Sequence, residues 1–359
     1  VFLLVVVAFL SSALATTAGC TPTGPSGHGG STTPGSVSER VELTYATFSG
    51  PLDAYEVVMS EYFERIKAVT GGRIEVVDKS YSGSLVKQAD VIEALKQGFV
   101  DMSRSVGQYY PEIRPYHSVM NLPFLVDSTL QACLAQSHLE RTDSRFAAED
   151  EEALGAKTIF VFGATDLYML VKKPLQHLDE WKGLNLRAPT RAAMGIIEGL
   201  GGTPTSIPTA ELYEALQRGS VDGVSSTILG CIGMGWHEQA PWMVDWNLGV
   251  LWDISPMMSM QKFNTLSPAD QQLLVDIGDK HMLDFAVGMA AQLALVPEQL
   301  EAQGGGILPI ADEEKVQWEA TLSPAVFDAW KEDAKSYGIP DPQAILDLWE
   351  ATLAQFKGI

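Results

Sequence analysis

The chain has 359 residues, more than one compact core usually holds and suited to two lobes of ordinary domain size. Its formal net charge is −21, and no acidic or basic residue precedes Glu39, so the whole acidic excess lies on the body of the protein. That excludes the basic stripe of a nucleic-acid binder, and it means that an anionic ligand needs a locally basic pocket.

Val1–Ala15 (VFLLVVVAFLSSALA) is an apolar run, too short to span a bilayer comfortably and followed by small residues, and it reads as an export signal. Thr17–Cys20 (TAGC) then resembles the lipobox at which bacterial lipoproteins are cleaved and acylated, although Thr17 stands where an aliphatic residue is usual. Ala13–Ala15 offers an ordinary signal-peptidase site as the alternative. Residues 1–20 are therefore expected to be a signal, with Cys20 as the lipidation site. Thr21–Ser38 holds Gly, Pro, Ser and Thr but too little apolar surface to offset the entropy of ordering it, and reads as a flexible tether. The expected location is extracytoplasmic, in the periplasm or at the outer face of the cytoplasmic membrane, with membrane contact through the lipid. Cys133 and Cys231 either pair or remain two free buried thiols.

Val41–Ala46 alternates like a half-buried strand, and Asp53–Val69 has helical periodicity that Gly71-Gly72 ends. Arg73–Val77 is a second strand, Leu85–Gln97 a second helix, and Phe99–Met102 a third strand. Strands alternating with helices predict a mostly parallel sheet covered by helices. Lys157–Phe162 and Tyr168–Val171 begin a second run of the same kind. In Ser267–Gln303, Ser267 suits an N-cap, Pro268 the first helical position and Asp270 the positive helix end. The run is expected as one long bent helix, kinked near Pro297, with two helices and a short break as the alternative.

Trp181–Gly223 reads WKGLNLRAPTRAAMGIIEGLGGTPTSIPTAELYEALQRGSVDG. Arg187 ends a short strand, where open α/β sheets present ligand-binding groups, and its planar fork matches a carboxylate. Arg191 follows at the start of a helix, as a second cation for the cleft or as a solvated surface charge. Leu212, Ala215 and Leu216 form the inner face of the helix at Glu211–Gln217. Tyr109 and Tyr110 are candidates for a facing wall. Of Trp236, Trp242, Trp246 and Trp252, most are expected in packing.

In order, these parts resemble the core signature of the solute-binding proteins of TRAP transporters. Lys87–Gly98, Val100–Met102, Leu122–Leu125 and Lys173-Pro174 agree in sequence, and the likeness runs from about Val41 to the C-terminus. The resemblance implies an α/β, two-lobed periplasmic-binding-protein architecture with a ligand cleft between the lobes and a long helix crossing both. It places residues 39–164 and 253–292 in the first lobe, and 165–252 and 293–359 in the second. It implies that Arg187 grips the carboxylate of a small organic acid, that Thr209 and Ser226 line the pocket, and that the partners are the small and large TRAP membrane subunits. Ser226 stands where sialic acid-binding members carry asparagine, and no arginine occurs near Asp166–Tyr168, which disfavours sialic acid.

The six histidines show no metal-ligand spacing, and there is no Gly-x-Ser-x-Gly, phosphate loop or dinucleotide fingerprint. No catalytic residue, cofactor or metal is expected. The alternatives kept open are an exported sensing module for a membrane kinase and an ABC-type binding protein. Expressed in a bacterium that processes lipoproteins, the mature chain should begin at acylated Cys20, and Cys20→Ala should move it to the soluble fraction. Mass spectrometry that finds Thr16 as the first residue would overturn lipidation and leave export standing.

Overall fold

Two sheets organise the chain. The structure, a computed structural model, describes residues 39–358 apart from 52, 164–166 and 250–252. The signal, Cys20 and the tether lie outside the described residues. The chain begins β1 (Val41–Ala46), α1 (Ala54–Val69), β2 (Ile74–Ser80), α2 (Val91–Lys96), β3 (Met102–Val106). It continues α3 (Thr129–Thr142), α4 (Ser144–Ala148), β4 (Ala156–Thr158), β5 (Leu167–Val171), β6 (Asn185–Arg187), α5 (Arg191–Gly199) and β7 (Thr203–Thr205). Then come α6 (Leu212–Arg218), β8 (Gly223–Thr227), α7 (Ile228–Gly233), β9 (Trp242–Asp245), β10 (Ile254–Ser259) and α8 (Met260–Phe263). The last elements are α9 (Pro268–Leu293), α10 (Val296–Glu301), β11 (Gly306–Pro309), α11 (Asp312–Ser336) and α12 (Pro342–Gln355).

The first sheet has the order β2-β1-β3-β10-β4, and the second β11-β9-β5-β8-β6-β7. In the first, β1 pairs in parallel with β2 and β3, whereas β10 returns antiparallel to β3 and β4. In the second, β6 lies parallel to β7 and β8, while β5 runs antiparallel to β8 and β9. After the chain crosses back from the first sheet, β11 joins the edge of the second parallel to β9. Gly223 is required at the start of β8, because a Cβ there would lie 2.3 Å from the carbonyl oxygen of Leu170.

Local chemistry accounts for the main helices. The carboxylate of Asp53 accepts from the backbone N–H of Tyr55 and caps α1, whose buried side carries Val58, Met59, Tyr62, Phe63 and Ile66. The hydroxyl of Ser267 caps α9 by accepting from the N–H of Asp270, and Pro268 occupies its first turn. Asp270 also binds Arg73 through both guanidinium nitrogens, fastening the start of α9 to the edge of the first sheet.

The run from Ser267 to Gln303 is two helices. Pro297 has no N–H to offer the carbonyl of Leu293, and its ring crowds that carbonyl, so α9 ends there and α10 begins after the break. At about 1.5 Å per residue, the 26 residues of α9 extend roughly 39 Å. It packs against α1 and α3 and reaches α7 beside the second sheet. A second long helix, α11, also joins the halves. Its Glu314 accepts from the N–H of Leu178, whereas its Trp330 donates to the hydroxyl of Ser118.

Two expectations are corrected. The third strand starts at Met102, after Gly98 turns with φ +66° and the chain at 99–101 closes the turn. Helical structure in 85–97 is confined to a 3-10 turn at Gln88–Asp90 and α2. α12, which the resemblance groups with the second lobe, packs on α3, where Gln131 donates to the carbonyl of Leu353. Cys133 and Cys231 are not joined in a disulfide, and both are buried.

Two glycines of α9 should respond oppositely to alanine. A Cβ on Gly278 would lie 2.7 Å from the Phe160 ring, so Gly278→Ala should destabilise by about 1–3 kcal/mol through overpacking. Nothing lies within 4 Å of a Cβ on Gly288, and Gly288→Ala should stabilise by about 0.5–1 kcal/mol through helix propensity. Melting temperatures of the two variants check both signs.

Candidate functional site

Between the sheets is a cavity of ≈50 Å³ to which both contribute. Its second-sheet wall is built around Arg187, the last residue of β6. Pairing of Arg187 with Val224 on β8 brings the guanidinium beside the carbonyl of Ser225, 3.4 Å from Nη1. Nε donates to the carbonyl of Ile207 at 3.3 Å, and Nη2 to the hydroxyl of Thr209 at 3.5 Å. The indole of Trp236 lies under the guanidinium at 5.8 Å. Tyr109 reaches across from the other wall and hydrogen-bonds to it.

Arg187 is only 3 % exposed, yet no carboxylate among the described residues lies within ion-pair distance of it. Burial pulls its pKa below the ordinary arginine value, with Tyr109 acting in the other direction. The guanidinium is thus desolvated and held by uncharged oxygens at long distances.

The first-sheet wall carries another arginine in a contrasting state. Arg104, at the centre of the fully buried β3, donates from Nε to Glu56 at 2.7 Å and from Nη2 to the hydroxyl of Ser49. The rings of Phe48 and Tyr55 flank it. Glu56, itself fully buried, accepts in addition from Tyr45 and Thr47, each at 2.7 Å. Burial opposes the charge on Arg104, but Glu56 and Asp53 outweigh it and raise its pKa above the ordinary value.

Four of the expected site residues, Arg187, Thr209, Ser226 and Tyr109, line this one cavity. Arg191 does not. The chain turns between Arg187 and the helix it caps at Thr190, so four residues of separation do not bring the two arginines to one face. Arg191 is 74 % exposed and pairs with Asp333 at 3.0 Å, at the edge of a larger cavity of ≈480 Å³ between α5, α11 and the segment 118–122. Tyr110 donates to the carbonyl of Gln88 within the first lobe. Trp236 lines the cleft, Trp246 stacks on Phe124, and Trp252 lies outside the described residues.

Sequence reasoning missed Asp53, Ser49, Tyr55 and Arg104. The available signal was a lone charge in MSRSV, a strand otherwise made of small and apolar residues.

A second charged cluster lies where β3 ends and β10 begins. Arg114 is fully buried and binds Asp253 at 2.6 Å, Asp150 at 2.8 Å and Glu140 at 3.3 Å. His117 sits between Glu140 at 2.6 Å and Glu149 at 2.7 Å. Ligand atoms of His117, Glu140 and Asp150 lie within 4.8 Å of one another, the spacing of a metal site. Arg114 already occupies both carboxylates, so the group is an internal ion network. Burial and Arg114 oppose charging of His117, but Glu140 and Asp150 prevail and push it up to about 10. Burial pushes Asp150 up to about 7 against the pull of Arg114.

Residues 50–333 match the family model described as bacterial extracellular solute-binding protein, family 7. The ectoine-binding periplasmic protein TeaA of Halomonas elongata is 21% identical over 277 residues, spanning 76% of this chain and 79% of that protein. A TRAP periplasmic solute-binding protein from Desulfovibrio salexigens with bound orotic acid superposes with TM-score 0.76 at 19% identity, covering 88% of this chain and 100% of that one. A TRAP solute-binding protein from Rhodoferax ferrireducens in complex with benzoate gives TM-score 0.77 at 19% identity, with coverage of 88% and 98%.

The ion network gives stability a definite pH dependence. His117 has a folded pKa above the ordinary histidine value of 6.5, so its contribution is complete below pH 6.5 and lost as pH rises through about 10. The raised Asp150 acts in the same direction, losing its contribution between 3.8 and about 7. Melting temperature should therefore fall from mildly acidic to alkaline pH. In His117→Gln the fall between pH 6.5 and 10 should be much smaller, and equal slopes in the two proteins would refute this account.

Proposed function

This chain belongs to family 7 of the bacterial extracellular solute-binding proteins, the receptors of TRAP transporters, and we propose that its ligand is a small organic acid whose carboxylate is held by Arg187. Receptors of this family bind small molecules outside the cytoplasm and work with membrane subunits. Anchoring through an acylated Cys20 belongs to the same reading.

One contrast supports the carboxylate. Arg104 and Arg114, the other deeply buried arginines, each hold carboxylates at 2.6–2.8 Å. Arg187, equally buried, has uncharged oxygens at 3.3–3.5 Å and the Tyr109 hydroxyl but no carboxylate among the described residues, and it lines the cleft. Leaving a charge desolvated and uncompensated is costly, and an incoming carboxylate relieves that cost with two charge-assisted bonds. The orotate and benzoate found in the two structural relatives are carboxylates, which is consistent with this chemistry.

Residues of both sheets line the cavity, so a ligand held there would bias an open–closed equilibrium of the two walls. Thr209, Ser226 and Tyr109 would supply the neutral polar contacts that orient it.

A thermal-shift screen of organic acids on the wild type should find a carboxylate ligand. By calorimetry, Arg187→Ala should then bind it less tightly by about 2–5 kcal/mol, because one partner of a desolvated pair is removed. That is roughly thirtyfold to several-thousandfold in Kd. Arg187→Lys should also bind poorly, since an ammonium cannot supply the fork. Binding by Arg187→Ala within about threefold of wild type would overturn the assignment.

A further inference from the structure

The two walls of the cleft differ in charge. On the second-sheet wall the charged group is Arg187, with one positive charge. On the first-sheet wall Arg104 is neutralised by Glu56, at 2.7 Å, and Asp53 remains, with one negative charge. The carboxylate of Asp53 is committed through Oδ1 alone, which accepts from the N–H of Tyr55 at 2.9 Å. Its Oδ2 lies 3.7 Å from Nη2 of Arg104, beyond hydrogen-bonding distance, and the side chain keeps 13 % of its surface. Asp53 therefore presents an acceptor with a net negative charge to the same small space that Arg187 faces with donors.

From this opposition, and resting on the reading of Arg187 as the carboxylate grip, we infer that the ligand is dipolar: a carboxylate at one end and a hydrogen-bond donor, ammonium or hydroxyl, at the other, the donor meeting Asp53. A ligand with the carboxylate alone would seal Oδ2 of Asp53, which has the charge of Arg104 nearby but no hydrogen bond, against an apolar group when the walls close. A buried acceptor without a donor disfavours closure, whereas an ammonium or hydroxyl satisfies it. Of the aromatic rings at the cavity, Phe48 and Tyr55 already lie against Arg104, and Trp236 and Tyr109 against Arg187. The donor is thus directed to the carboxylate.

Asp53 also caps α1, and the substitution that tests the inference leaves that role intact. Asparagine caps a helix about as well as aspartate, so Asp53→Asn removes the charge and keeps the fold. The probes are matched series with one carboxylate: butanoate, 4-hydroxybutanoate and 4-aminobutanoate, and benzoate, 4-hydroxybenzoate and 4-(aminomethyl)benzoate. Calorimetry is run on wild type, Asp53→Asn and Arg187→Ala, with circular dichroism melts as the check on folding.

Within a series the wild type should bind the donor-bearing members about tenfold to a hundredfold more tightly than the member without a donor. Asp53→Asn should erase most of that preference and bind the donor-free member within about threefold of wild type or better. Arg187→Ala should weaken every member. If Arg187→Ala weakens all members while Asp53→Asn leaves the preference unchanged, or wild type has none, the dipolar ligand is refuted and the carboxylate grip stands. If Arg187→Ala leaves carboxylate binding unchanged, both fail together.

Discussion

A guanidinium sealed from water has to be compensated, and the three deeply buried arginines of this protein meet that requirement in different ways. Arg114 is surrounded by carboxylates and fixes the junction where the chain returns to the first sheet. Arg104 is held by Glu56 and forms a rigid, nearly neutral centre in the first wall. Arg187 meets carbonyls, the hydroxyls of Thr209 and Tyr109 and an aromatic face, and no carboxylate among the described residues lies within ion-pair distance of it. The same residue type thus supplies a structural anchor, a wall and the proposed site. What separates the three roles is whether a carboxylate from another element reaches the guanidinium.

Much of the fold was legible because it rests on local signals. The N-cap of α9 at Ser267, the strand at Val41–Ala46 and the inner face of α6 follow from residue chemistry and periodicity. Arg187 was legible for the same reason: its place at the end of a short strand is a one-dimensional feature. Arg104 was not, because its strand begins at Met102 and the preceding Phe99–Asp101 carries an equally strand-like composition. Its partner Glu56 lies 48 residues away, and nothing local marks the two as a pair. Arg191 shows the converse, since closeness in sequence to Arg187 suggested a shared site that the turn at Ala188–Thr190 prevents.

The long helices show how tertiary packing overrides propensity. Pro324 lies inside α11, at a position that costs an isolated helix about 3 kcal/mol. The helix persists because Leu322, Val326 and Trp330 are buried and its two halves are fastened to different lobes. Pro297 acts in the ordinary way, since the residues around it have a second arrangement available as α10. The same residue type ends one helix and is absorbed by the other, and the difference is the packing around each.

The ion network and the cleft are mechanically joined through β3. That strand has Arg104 at its centre and passes at its end into Gly107, whose N–H donates to the carbonyl of Asp253 at 3.1 Å. A Cβ on Gly107 would lie 2.3 Å from the carboxylate of Asp253, so the backbone is pressed against the network without room to move. The first wall is therefore rigid and anchored where the chain crosses between the sheets. The second wall holds Arg187 by long bonds to neutral oxygens, the weaker of the two attachments. A ligand shifts an open–closed equilibrium only by its difference in affinity for the two states. On the proposed reading of Arg187, the ligand's carboxylate would supply that difference by meeting the one deeply buried guanidinium that no described carboxylate compensates.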